Sequence, residues 1–311
     1  MDVKRTVIYE DGKILVLRIG ERFSEESTIF FGDLPLFLYG PNGKTKSFQE
    51  ERYSRYKTDR IPFDQGKNLY LALFKSLQDM SSTIEKQQVP LNGWGIRDFA
   101  QSFRKAFFSK EISSSKRIEL IGRSKGGLWA AAFLSLLDEE SLKKWNFKLL
   151  AMGTPFGGTI MADPENLYPA LKKNKKHSVK GRLGVILHER VFTGEQWDMD
   201  CIPDSYFLKW LHSRKDAWAS RTLVVAGIAN GCWLKKLLQF KIVELGCQYA
   251  VKNILGLVSE SENDGVVTYD CVDVDGLFPS GRAIIVECSH EEFLSNRKLL
   301  REIFDEFRDM N

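Results

Sequence analysis

The sequence predicts an α/β fold with a mostly parallel central sheet and helices on both faces. Three observations predict it. From residue 117 onward short apolar runs alternate with helix-like segments: "RIELIG" (117–122), "FKLLAMG" (147–153), "RTLVVAGI" (221–228) and "RAIIVEC" (282–288). These runs carry few polar residues, as strands covered on both faces do. And "GRSKGG" (122–127) stands at the carboxyl end of one run, directly before an apolar helix-like segment. Open α/β sheets place their sites at such strand ends.

The elements follow in order. "RTVIYEDGKILVLRIG" (5–20) reads as a hairpin around Asp11-Gly12. "STIFFGD" (27–33) and "LPLFLYG" (34–40) are strands or strand ends, and the polar residues 41–65 form a long loop. The spacing predicts an amphipathic helix over 68–80, and another over 96–110 with Phe99, Phe103 and Phe107 on one face. After the strand at 117–122, a helix is expected over 127–145 and a strand over 147–153. Residues 155–219 are too long for a simple crossover and read as a cap or lid inserted into a single domain spanning 1–311. A strand (221–228), a helix (232–256), a strand (282–288) and a terminal amphipathic helix (291–310) complete the chain.

Composition narrows the class. A net charge of +4, from 45 basic and 41 acidic residues, is too small to argue for nucleic acid. Lys172, Lys173, Lys175 and Lys176 read as a solvated loop, with an anionic surface as the alternative partner. The cysteines number five and form no CxxC pair, which favours reduced thiols over a disulfide scaffold or zinc site. The start has no apolar signal core, and no run of apolar residues is long enough to span a bilayer. The expected location is cytoplasmic, although export without a cleaved signal would look the same.

Gly122-Arg123-Ser124-Lys125-Gly126 matches G-x-S-x-G in a strand–turn–helix context. Such a turn holds the serine in a strained conformation, and side chains two residues to either side would strike the adjoining strand and helix. The backbone N–H of Lys125 is then the first oxyanion donor, helped by the helix N-terminus. A serine needs a base, and the base an orienting acid. Of four histidines, His177, His188 and His212 fall in the lysine loop or the insertion, whereas His290 follows the last strand. For the acid, Asp264, Asp270, Asp273 and Asp275 lie between the last two strands. Asp264, in "SENDGVV", occupies a turn that can aim a carboxylate.

The chain resembles the lipase and esterase branch of the α/β-hydrolase fold. The resemblance covers roughly residues 117–295. It is carried by "GRSKGG", "LLAMGTPFGGT" (149–159), "CIPDSYFLKWLH" (201–212) and "SENDGVV" with "SHEEFL". It implies Ser124, Asp264 and His290 as nucleophile, acid and base. Phe156 stands where that branch usually has histidine in the Thr-Pro-His-x-Gly turn, which should alter packing under the insertion. The usual His-Gly oxyanion loop is missing. Asp33 in "FFGDL" is the better second donor, Asn42 the alternative; Pro41 lacks an N–H. Some such lipases bind calcium near the histidine; Glu292 is a remnant ligand at most, and no metal is expected.

Two features compete for attention. "GPNGKTKS" suggests a phosphate-binding loop, but Leu38 stands where G-x-x-x-x-G-K-[ST] requires glycine. Phe30, Phe31, Phe37, Tyr39 and Tyr53, like Trp197, Phe207, Trp210 and Leu211, suit either core packing or an acyl pocket.

The expectation is a cofactor-free serine hydrolase acting on a carboxylic ester, a small molecule or a lipid, with peripheral membrane contact open. A thioesterase or amidase uses the same residues; a fold relative that only binds is the alternative from another class. The Arg123 and Lys125 side chains are expected to pair with surface carboxylates, or else to draw anionic substrates to the mouth of the site.

Overall fold

A computed structural model of the chain describes residues 5–20, 24–33, 67–74, 94–109, 111–163, 196–228, 264, 266–288, 290, 293 and 296–310. Eight described strands form one sheet: β1 (Arg5–Glu10), β2 (Ile14–Ile19), β3 (Glu26–Asp33), β4 (Asn68–Phe74), β5 (Arg117–Arg123), β6 (Asn146–Met152), β7 (Thr222–Gly227) and β8 (Ala283–Val286). Their spatial order is β1-β2-β4-β3-β5-β6-β7-β8. β2 pairs antiparallel with β1 and β4; every pairing from β4 through β3 to β8 is parallel. The hairpin at Asp11-Gly12 forms as expected, its turn held by Lys13 and Ile14 N–H groups donating to Asp11 Oδ1 at 2.7 and 2.8 Å.

Two apolar layers cover the sheet. One face carries α1 (Ile96–Phe107), α2 (Lys125–Ser135) and the described parts of the segment between β6 and β7. On the other lies α6 (Arg297–Asp309), through Leu300, Ile303, Phe304 and Phe307. Phe99, Phe103 and Phe107 of α1 face inward, as their four-residue spacing requires. Phe99 and Phe103 meet Trp129 of α2, whose ring also lies 5.0 Å from that of Phe31 in β3, edge to face, and Phe107 meets Phe133. Because α2 is buried all round, its apolar residues show no helical stripe.

Two expected elements come out differently. Residues 68–74, expected to be helical, form strand β4. Leu69, Leu71 and Leu73 pack into one layer, while Tyr70, Ala72 and Phe74 pack into the other. The alternation of a strand is present, but both sets are apolar, so spacing alone imitates a helix. The helix expected over 127–145 is broken in two. α2 stops at Ser135, and α3 (Glu139–Lys144) begins afresh where Asp138 Oδ1 accepts the Ser141 N–H at 2.7 Å. The runs at 34–40, 75–80 and 232–256, the loop at 41–65 and the lysine cluster lie outside the described residues. Among the described residues no helix is long and apolar enough to cross a membrane, and no cluster of His, Cys, Asp or Glu is grouped to hold a metal.

The segment between β6 and β7 includes α4 (Gln196–Met199) and α5 (Tyr206–His212). Phe207, Leu208, Leu211 and Trp218 are buried in the layer that contains α1 and α2. Its tie to α1 is polar. Asp200 Oδ2 accepts the Ile96 N–H at 2.6 Å, satisfying one of the donors a helix start leaves free. Asp98 reaches back to the Gly95 N–H at 3.1 Å. Burial is the largest influence on Asp200 and pushes its pKa up from 3.8 to about 6, with the Ile96 and Gln196 hydrogen bonds opposing and the Asp98 charge adding to the rise.

Below about pH 4 Asp200 is protonated in folded and unfolded chains alike; between 4 and 6 only the folded chain holds the proton, so stability falls as pH rises. Above that window the ionised group costs on the order of 3 kcal/mol. Asp200→Asn keeps an acceptor for Ile96, and Gln196 can turn its amide to match. The variant is expected to unfold at a higher temperature than wild type at pH 8, with the gain gone at pH 4. An equal difference at both pH values would show that ionisation of Asp200 is not the cause.

Candidate active site

The site begins where β5 meets α2. Ser124 lies between them at φ 53° and ψ −131°, a conformation that side chains rarely adopt. Its N–H donates to the Met152 carbonyl at 2.9 Å and its carbonyl accepts the Gly127 N–H at 3.0 Å. A backbone so placed costs about 1–3 kcal/mol and persists only where the surroundings fix it.

Three glycines let the surroundings close in. A Cβ on Gly122 would overlap the main chain of Gly126 and Gly127, and one on Gly126 would overlap the Phe31 carbonyl oxygen. The steric reason expected for these two glycines is therefore present. Gly127 has its own: a Cβ there would overlap Thr154 Oγ1.

Asp264 and His290 meet beside the ends of β6 and β7. Asp264 Oδ2 lies 2.6 Å from His290 Nδ1, and both residues are buried, at 2% and 5% exposure. The other carboxylate oxygen accepts the N–H groups of Val266 and Val267 at 2.9 and 2.8 Å. One oxygen is thus held by main chain and the other is aimed at the ring. The His290 N–H in turn donates to the Asp264 carbonyl at 2.9 Å, so the two segments are locked at both levels. A carboxylate only accepts, which leaves the proton on Nδ1 and the lone pair on Nε2. Asp270, Asp273 and Asp275 do not reach this position; Asp273 accepts from the Tyr269 hydroxyl instead, at 2.8 Å.

Two glycines that the sequence did not single out make room for this pair. A Cβ on Gly153 (φ 53°) would come within 2.9 Å of Asp264 Oδ2 and 3.0 Å of His290 Nδ1. One on Gly227 would lie 2.9 Å from the Asp264 Cβ. The available signal was a glycine at or just past the end of three successive strands, in "LIG", "AMG" and "VAG".

The structure brings Ser124 and the Asp264–His290 pair to one edge of the sheet. Arg123, the residue before the serine, donates from Nε to the His290 carbonyl at 3.0 Å. Among the described residues, no hydrogen bond joins Ser124 Oγ to the His290 ring. Lys125 opens α2, so its N–H is among the first-turn donors for which the helix itself supplies no acceptor. Asp33 ends β3, paired in register with Phe74. Asn42 and Glu292 lie outside the described residues.

The cations correct an expectation. The partners described for them are a main-chain carbonyl and a buried carboxylate. Arg123 is 8% exposed and donates to the His290 carbonyl. Lys125 Nζ sits 2.6 Å from Oδ1 of Asp198, which is buried in α4 at 2% exposure. Phe156, in place of the usual histidine, is buried and stacks on Trp218 at 5.0 Å between ring centroids. Phe30 and Phe31 are core residues on opposite faces of β3. Phe37, Tyr39, Tyr53 and the Trp197 side chain lie outside the described residues. A cavity of about 490 Å³ lies between α1 and the insertion, where Phe207 and Trp210 line it with Asp200; Ser124, Asp264 and His290 do not.

No protein-family profile matches the sequence, and no curated protein matches it. Solved structures do. The mature form of a Bacillus licheniformis lipase, BlEst2, is similar over 97% of this chain and 97% of its own, at 14% identity and a TM-score of 0.52. The propeptide form of the same lipase is similar over 96% of this chain and 53% of its own, at 15% identity and a TM-score of 0.51.

The chain has the α/β-hydrolase fold.

Within an α/β-hydrolase sheet the elbow is its most demanding joint, and the glycines there differ in what they touch. Gly126 faces a main-chain carbonyl, which no substitution elsewhere can remove. Gly127 faces a side chain. Gly127→Ala and Gly126→Ala are each expected to destabilise the protein by about 1–3 kcal/mol or more in urea unfolding. Adding Thr154→Gly should recover much of the loss for Gly127→Ala and none for Gly126→Ala. Equal recovery in both would show that the Thr154 contact is not the constraint.

Proposed function

We propose that the protein is a serine hydrolase that cleaves carboxylic esters, with an apolar acyl group as the favoured substrate. The observation that carries this is the buried Asp264–His290 pair, 2.6 Å apart, set beside a serine at a strained strand-to-helix turn. Packing alone does not call for an acid, a base and a strained serine to converge from three distant parts of a chain.

In this reading His290 Nε2 takes the proton from Ser124 Oγ as the oxygen attacks the ester carbonyl. Asp264 keeps the imidazole in the required tautomer and stabilises its charged form. The Lys125 N–H holds the developing oxyanion at the positive end of α2. Asp33 supplies the second N–H. Its support is the contact of Gly126 with the Phe31 carbonyl, which sets the end of β3 against the start of α2. His290 then protonates the departing alcohol. Water, activated by the same imidazole, releases the acid from the acyl-enzyme and restores Ser124. The Ser124–His290 hydrogen bond forms when substrate binds, as catalytic hydrogen bonds left long in a free site often do. Residues 155–219 serve as the cap over this site. The Bacillus licheniformis structure is named as a lipase, which accords with ester hydrolysis.

A fluorophosphonate probe tests the reading directly. The intact protein should be labelled and Ser124→Ala should not; an unlabelled wild type, or equal labelling of both, would overturn it. His290→Ala and Asp264→Asn are each expected to lower kcat by about 10³-fold or more. A p-nitrophenyl ester series from acetate to palmitate, run beside a thioester and an anilide, should show the ester with the longer acyl chain turned over fastest.

A further inference from the structure

The reading above uses the main chain of Lys125 and leaves its side chain without a part. That side chain carries a charge at the rim of the proposed site, yet only 17% of it is exposed. Its Nζ lies 2.6 Å from Asp198 Oδ1. Asp198 belongs to α4, so the contact joins the elbow to the insertion across 73 residues of sequence. α4 is itself fixed close by. Two residues on, Asp200 accepts the Ile96 N–H of α1, and its carbonyl accepts from Ser205 Oγ at 2.8 Å.

A buried ion pair is a costly way to hold two segments together. Desolvation offsets much of its attraction, and apolar residues of similar volume often hold as well or better. What charge adds is direction: an ammonium on a carboxylate fixes the end of a long, flexible side chain to one point. Here the side chain so fixed springs from the residue whose N–H faces the oxyanion, next to a serine whose backbone is strained. Oxyanion stabilisation depends on a donor already in place, and small misplacements there are expensive in rate.

We propose that Asp198 is a positioning residue for the reaction: through Lys125 it holds the oxyanion-donating N–H in place and ties that donor to the docked insertion. The proposal rests on the serine-hydrolase reading. Its consequence is that an insertion displaced from the elbow leaves Ser124 present but its oxyanion donor loose.

The test is turnover per competent site. Fluorophosphonate titration counts the sites, and a p-nitrophenyl ester gives kcat and KM for the same sample. Asp198→Asn keeps the shape and removes the charge. It is expected to titrate as wild type does but to turn over about 10- to 100-fold more slowly per labelled site, with KM within about threefold. Lys125→Met, which keeps the backbone N–H, should lose a similar factor. The Asp198→Asn, Lys125→Met double variant removes both charges, so no buried charge is left unpaired to unfold the protein. It should be no slower than the slower single variant. Wild-type turnover per labelled site in Asp198→Asn, with only a lower unfolding temperature, would overturn the proposal while leaving the serine-hydrolase reading intact. So would losses that multiply in the double variant. A wild type that takes no label would overturn both.

Discussion

The backbone of Ser124 is the constraint on which the rest of the structure depends. A strand entering a helix through one residue at positive φ brings β5 and α2 so close that only hydrogen fits between them. Gly122 answers that demand, and Gly126 and Gly127 let the same helix start close on Phe31 and Thr154. The consequence reaches beyond the turn. With α2 pressed onto the sheet, its whole length is buried, and Trp129 is carried into the cluster formed by Phe31, Phe74, Phe99 and Phe103. That cluster joins two strands and two helices. The element that follows the strained serine thus also anchors this aromatic cluster, whose burial opposes the strain.

The residues proposed to act with Ser124 obey the same rule of close approach. Asp264 and His290 sit against the ends of β6 and β7 only because Gly153 and Gly227 present no side chain there. Three neighbouring strands thus reach the site through glycine. Asp264 is held from both sides: two main-chain N–H groups donate to one oxygen and the imidazole engages the other, so the buried carboxylate is satisfied among the described residues by these contacts.

Much of this was legible in the sequence, and what was not has physical causes. The strands at 117–123, 146–152, 222–227 and 283–286 could be read because Gly, Asp and polar turns punctuate them. That Ser124, Asp264 and His290 would lie at neighbouring strand ends could be anticipated, because the proposed chemistry calls for those residue types there. β4 could not, since a strand apolar on both faces loses the alternation that marks a strand. The break between α2 and α3 was written in Asp138 and Ser141, a helix-start signal lying inside an otherwise helical run. Gly153 and Gly227 look like any loop glycine until the folded chain sets a carboxylate and a ring within 3 Å of where a Cβ would be.

The two cations beside the serine show most clearly where sequence reasoning stops. Charge next to a proposed nucleophile suggests solvent, substrate or both, because lysine and arginine are seldom buried. Their partners lie 167 and 73 residues away, a carbonyl of the His290 segment for Arg123 and the Asp198 carboxylate for Lys125. No local pattern announces either. Together they bind the residues on both sides of Ser124 to the two segments that must be in register with it, the one that brings the imidazole and the one that covers the face carrying α1 and α2. A strained turn can relax into its neighbours. Here each neighbour's side chain is anchored to a different part of the fold, so relaxation on either side would break a buried polar contact whose loss costs as much as, or more than, the strain it would release.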